Sequence, residues 1–210
     1  MIVFKINGED CNIPTQWEDL TYSQWLSLLE LPDNTMGYVS LFTGIDSWQL
    51  EKMQIIGLDS LLNALSFLYT KPEMPGKVSK CGKYPIPEFF EIKNESLGQF
   101  EDMRATFKKL DDTVIGLTKA YKTYVAIYLQ KMRDGEYDYA KVPSMEKEVD
   151  NMPGIEVITL GSFFFLKLRS LSNGTPITFP RTTPNQKKKS STRSTKSGVP
   201  MRRSTKSRGR

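Results

Sequence analysis

The sequence predicts an α+β chain that is mainly α: a helical body with a small N-terminal β-hairpin or sheet over 1–175, then an extended or disordered basic C-terminal arm over 176–210. Three observations predict it. Apolar residues recur at helical spacing through most of 21–172. Only "MIVFKING" and "CNIP" near the start alternate like paired strands. From Arg181 to the end there are eleven Lys or Arg and no Asp or Glu. Strands do not alternate with helices, so a doubly wound sheet is not expected.

In "MIVFKING" the β-branched alternation marks a strand, Gly8-Glu9-Asp10 marks a turn and "CNIP" a short return strand. Thr21 with Gln24 forms a capping box for a helix that places Trp25, Leu28 and Leu29 on one face and stops at Pro32. Trp17, just before the cap, is expected to staple that helix to the hairpin. Ser47 is expected to cap a short helix around Trp48–Ile55, and Asp59 to lead into the apolar stripe Leu61, Leu62, Leu65, Leu68 and Tyr69. Four Pro and two Gly between Lys71 and Pro87 break the pattern into a loop with room for a hairpin. "EFFEIK" reads as a strand able to join the N-terminal hairpin. Ser96 and Gln99 form a second capping box, and a helix of about six turns is expected from Asp112, closed by Gly135. Ser144 is expected to cap an acidic turn, and Pro153 to start a last helix that Asn173-Gly174 terminates.

The charge is divided. Residues 1–180 hold 18 basic and 24 acidic side chains, a net of −6, so the pI near 9.1 belongs to the arm. Such asymmetry points to an anionic partner for the arm. Its cations Lys187, Lys188, Lys189, Arg193, Lys196, Arg202, Arg203, Lys206, Arg208 and Arg210 are spaced by Ser, Thr and Gly, which lets the chain follow an irregular polyanion. Arg193–Ser197 recurs as Arg203–Ser207, which reads as drift within a low-complexity tail with charge retained, the alternative being a functional repeat. Hydroxyls among the cations add hydrogen bonds to phosphate, but no base-reading element is visible. Three readings stay open for the arm: packaged or free DNA bound without sequence specificity, an acidic groove on a neighbouring subunit, or a solubilising tail with no partner. Apolar content is too low for the arm to fold alone.

Chemistry is mostly excluded. The chain has no histidine, which removes the commonest general base near neutral pH and the commonest metal ligand. Cys11 and Cys81 form no CxxC pattern, so no metal site is expected. The opening "MIVFKINGED" has no signal-peptide pattern, so reduced thiols are expected rather than a disulfide. No phosphate-binding glycine motif occurs, and no cofactor or catalytic residue is expected. The chain is expected not to be an enzyme. The pairs Glu18-Asp19, Glu101-Asp102 and Asp111-Asp112 read as caps and solvated faces near helix starts. No apolar run approaches the roughly 18 residues of a membrane span, so no membrane partner is expected. Phe163, Phe164 and Phe165 wrap most of a helix, which requires burial in the core or at a subunit interface. Tyr121, Tyr124 and Tyr128 share a face that reads as core rather than as a stacking platform for single strands.

The stretch "IPTQWEDLTYSQWLSLLEL" after a short hairpin, with "LGQFEDM", "YLQKMRDGEYDYAKV" and "MPGIEVITLGSFFFLKLRSLSNGT", resembles small structural or assembly proteins from the head–tail gene module of tailed bacteriophages, notably crAss-like and related Bacteroidetes phages. The resemblance covers most of 1–175 and excludes the basic tail. It implies a non-enzymatic virion structural protein, such as a head–tail connector, portal-vertex or capsid/tail auxiliary subunit. Its partners would then be other virion proteins (portal, capsid or tail subunits) in an oligomeric assembly. Its place would be the virion, and the host cytoplasm during assembly. The alternatives are a tail assembly chaperone absent from the mature particle and a sequence-independent nucleic-acid-binding protein.

Overall fold

The computed structural model describes residues 1–6, 9–31, 34–52, 55–88, 95–111 and 113–172. Contacts divide the chain after Ile177, and all described residues belong to the first unit, Met1–Ile177. The unit is mainly helical with a small N-terminal antiparallel sheet.

Strand β1 (Ile2–Ile6) pairs with β2 (Glu9–Ile13) in the register Ile2↔Ile13 and Phe4↔Cys11. Glu9 and Asp10, expected in the turn, are paired strand residues instead, and Gly8 lies outside the described residues. Ile13 is buried, and Phe4 and Cys11 pack beside it. Helix α1 (Tyr22–Glu30) carries the expected capping box: Thr21 N–H donates to Gln24 Oε1 at 3.0 Å, and Gln24 N–H donates back to Thr21 Oγ1 at 3.3 Å. Trp17 lies in a 3-10 turn, Trp17–Asp19. Its ring meets Trp25 at 4.9 Å and Phe67 at 5.4 Å between centroids, and its indole N–H donates to the Thr70 carbonyl.

Helix α2 (Thr35–Thr43) ends at Gly44, whose φ of 70° is the left-handed geometry that glycine adopts without strain. Helix α3 (Ser47–Leu50) has Asp46, not Ser47, at its N-cap and is shorter than expected. Helix α4 (Ile55–Ala64) begins before Asp59 and passes into a 3-10 turn, Leu65–Tyr69. Asp59 therefore sits inside the helix on its solvent side, while Leu61 and Leu65 are buried. The apolar spacing runs straight through position 59, so the aspartate breaks nothing.

A short hairpin follows, β3 (Lys80–Cys81) with β4 (Tyr84–Pro85). Most of "EFFEIK", residues 89–93, lies outside the described residues. Helix α5 (Leu97–Lys108) keeps its Ser96–Gln99 capping box. Helix α6 (Val114–Asp134) starts two residues later than Asp112, because the Thr113 hydroxyl accepts the Gly116 N–H at 3.0 Å. It closes at Gly135, φ 82°. Helix α7 (Val142–Val149) starts ahead of Ser144: Pro143 occupies its first turn, and the Ser144 hydroxyl donates back to the Lys141 carbonyl. Helix α8 (Gly154–Ser172) follows Pro153, and its expected stop at Asn173-Gly174 lies outside the described residues.

Two cores result. The larger surrounds α6, where Tyr124 through Gln130 are buried without a break among α1, α5, α7 and α8. A helix apolar on every side must be central. The smaller core joins the hairpin, α1, α2, α4 and the start of α8 through Ile13, Leu20, Trp25, Phe42, Leu61 and Ile155. Three main-chain bonds lock the start of α1 to the start of α8: Tyr22 N–H to Met152 O, Ser23 N–H to Asp150 O, and Gly154 N–H to Leu20 O.

Inside the larger core, the Tyr22 hydroxyl donates to the Thr118 carbonyl. The Tyr124 hydroxyl is buried and has no hydrogen-bond partner among the described residues. An orphaned buried hydroxyl costs about 1–3 kcal/mol. Tyr124→Phe is therefore expected to leave stability unchanged or raise it by about 1 kcal/mol in urea unfolding. A loss of that size would mean that the hydroxyl is satisfied by a bound water.

Candidate interaction surfaces

The tyrosine face of α6 belongs to the core. Tyr124 and Tyr128 are buried, and Tyr121 is half-buried. Their rings meet α8: Tyr128 lies 5.2 Å from Phe164 and Tyr121 lies 6.2 Å from Phe165. The neighbouring cations are engaged too. Lys119 pairs with Glu30 at 2.8 Å, Lys122 with Asp150 at 3.0 Å and Lys131 with Glu95 at 3.3 Å. A stacking platform needs open aromatic faces and cations free to meet phosphate. This face offers neither.

Phe164 is fully buried, and Phe163 and Phe165 pack half-buried on either side of it. Phe165 is held against Phe107 of α5 at 5.7 Å between centroids. Within one chain, then, the run works chiefly as packing between α8, α6 and α5.

The acidic pairs have structural duties. Asp19 accepts from the N-terminal ammonium at 2.8 Å and from the Thr15 N–H at 3.0 Å. Burial alone would raise its pKa, but these bonds outweigh it and lower it. Asp102 accepts the Tyr137 hydroxyl at 2.6 Å; burial, then this bond, pushes the phenol far above its usual range. Asp111 accepts from the backbone N–H and the hydroxyl of Thr113, while Asp112 lies outside the described residues.

A further carboxylate, Glu148 on α7, was absent from the sequence reading and joins three side chains. It accepts from Lys83 at 2.8 Å and the Tyr84 hydroxyl at 2.9 Å, with Arg133 at 3.7 Å. Burial would raise its pKa, but Lys83 and Tyr84 hold it below the ordinary value. Beside it, hydrogen bonds from Arg133 and Gln130 hold Asp134 well below the carboxylate range. These ties fasten the β3–β4 hairpin to α7 and the end of α6. Both carboxylates favour the folded state above the unfolded carboxylate pKa, and that contribution disappears as pH falls through their lowered folded values.

Both cysteines are free thiols. Cys81 is buried against Met152, and burial, with Glu156 adding, pushes its thiol from 9.0 up to about 12. Only the thiolate reacts, so at pH 8 alkylation of Cys81 is expected to run about a thousandfold slower than for a solvated thiol. Native protein treated with iodoacetamide should gain its label at Cys11 first, and at Cys81 only on unfolding. Rapid native labelling of Cys81 would show that the hairpin that carries it detaches readily from α8.

Among the described residues no cluster of three or more Cys, Asp or Glu is placed to hold a metal ion. No helix among them is long and apolar enough to cross a membrane. The ten arm cations, Lys187 to Arg210, lie outside the described residues.

One surface feature was not legible beforehand. Between α5 and the end of α8 lies a groove of about 330 Å³, lined by Phe100, Arg104, Phe107, Lys108, Leu168 and Leu171. Its α5 residues follow helical spacing i, i+4, i+7 and i+8, which in sequence looks the same as a covered stripe. The one available signal is that two of those four positions are cationic.

No protein-family model matches this chain, and no curated protein or solved structure matches it either.

Proposed function

We propose that the chain is a non-enzymatic structural protein of a tailed-phage particle, a head–tail connector, portal-vertex or capsid/tail auxiliary subunit. Its basic arm would contact packaged DNA or a neighbouring subunit. The observation that carries the reading is the division of labour among charges. On the body, the cations beside the α6 aromatics are paired with carboxylates of the same chain. The arm holds eleven cations with no acid to pair with locally. That leaves the arm as the natural site for a polyanion and the body as a scaffold. The phage context rests on the resemblance of residues 13–31 and the later stretches quoted above.

Two other readings draw on the same charge asymmetry. A tail assembly chaperone would carry its arm to a single partner protein and be absent from the finished particle. A nucleic-acid-binding protein of replication or packaging would use the arm without sequence preference.

Quantitative mass spectrometry of purified particles beside the infected-cell lysate separates them. A fixed copy number relative to the capsid protein is the expected result. Abundance in the lysate with absence from particles would overturn the virion assignment and favour the chaperone or replication reading.

A further inference from the structure

We propose that the groove between α5 and α8 is a docking site for an acidic amphipathic helix supplied by a partner protein. Phe100 and Phe107, two turns apart on α5, form one side of its floor, and Leu168 and Leu171 on α8 form the other. Leu171 stands 42% exposed, a large apolar side chain facing solvent at the groove. The α5 residues span about 12 Å at 1.5 Å per residue, room for roughly two turns of an incoming helix. Helix-in-groove recognition takes this form, with apolar anchors at i, i+3 or i+4 and i+7 pressed into an apolar trough.

The rim selects the sign of the occupant. Arg104 is more than half exposed and meets its own Glu101 only at 3.7 Å. Lys108 makes no ion pair among the described residues. Both line the groove, so the apolar floor is bordered by positive charge in a body that is otherwise net negative. Charge of one sign around an apolar core governs which partners can approach. Two competing occupants suffer from it. A second copy docked face to face about a two-fold axis would bring Arg104 and Lys108 towards their own counterparts. Residues 181–210 carry eleven cations and no acid, the wrong sign for this rim. An acidic helix from another protein meets no such repulsion. The inference does not depend on the phage reading, since it rests on the groove alone.

The test uses the full chain with the photo-crosslinker p-benzoylphenylalanine in place of Leu171. The probe is a synthetic helical peptide with Leu at i, i+3, i+4 and i+7 and Glu at its exposed positions; a second peptide replaces every Glu by Lys. Photolysis is expected to join the Leu/Glu peptide to position 171, with affinity roughly tenfold or more above the Leu/Lys peptide. The exposed-site double variant Arg104→Glu with Lys108→Glu, checked by circular dichroism for an intact fold, should reverse that preference. Equal capture of both peptides, or capture of neither, overturns the proposal. So does crosslinking of position 171 to a second copy or to residues 173–210 of the same chain.

Discussion

Replacing Gly161 by alanine is expected to destabilise the helical body by about 2 kcal/mol or more. A β-carbon there would fall 2.3 Å from the Tyr121 Cβ and 2.8 Å from its Cα, so side chain and main chain of α6 both stand in the way. The clash cannot be relieved by a rotamer change alone. The helices must separate, and Tyr128–Phe164 and Tyr121–Phe165 would separate with them. Alanine's better helix propensity returns only about 1 kcal/mol. For a body of this size each kcal/mol moves the melting temperature by about 2–4 °C, so a fall of roughly 4–8 °C is expected. Gly37→Ala is the control. Its new β-carbon would meet nothing closer than 3.8 Å, and the propensity gain should appear unopposed. Equal effects at the two glycines would show that α6 and α8 are not in the close contact described here.

The second large effect concerns the arm. If it engages six or more phosphates, affinity for a duplex of arbitrary sequence is expected to fall by roughly 10³ or more between about 50 and 200 mM salt, as condensed counterions cease to be worth releasing. Chain shortened to residues 1–180 should lose that binding and still melt as the full chain does, because both cores lie within 1–172. It should also assemble poorly. A shortened chain that enters particles normally would remove the arm from any account of assembly. Binding that is strong and insensitive to salt would point away from phosphate and towards a protein surface.

What could be read from the sequence was local chemistry. Thr21–Gln24 and Ser96–Gln99 cap their helices because the donors and acceptors are three residues apart, a distance that needs no tertiary information. Gly135 closes α6 for an equally local reason. Asp59 misled because a residue leading into a helix and an exposed mid-helix residue look alike until the preceding turn is known. Likewise Ser144 sits one turn too late, displaced by Pro143 in the first turn. The partners of Trp17 are Trp25, Phe67 and the Thr70 carbonyl, the last of them 53 residues away, and nothing in the local pattern announces Phe67. For the candidate surfaces the limit was the same. Phe163–Phe165 announced burial but not against which elements, and the Phe100–Phe107 stripe of α5 does not reveal that α8 leaves part of it uncovered.

The main-chain bonds that join Leu20, Tyr22 and Ser23 to Asp150, Met152 and Gly154 have a consequence for synthesis. The two segments leave the ribosome roughly 130 residues apart, an interval on the order of ten seconds at ordinary elongation rates. Through that interval Trp25 and Leu20 lack Ile155, and α1 lacks the strand-like contact of Pro153 with Thr21. The hairpin and α1 are thus made well before α8, and their apolar face must wait in the nascent chain for α8 to arrive.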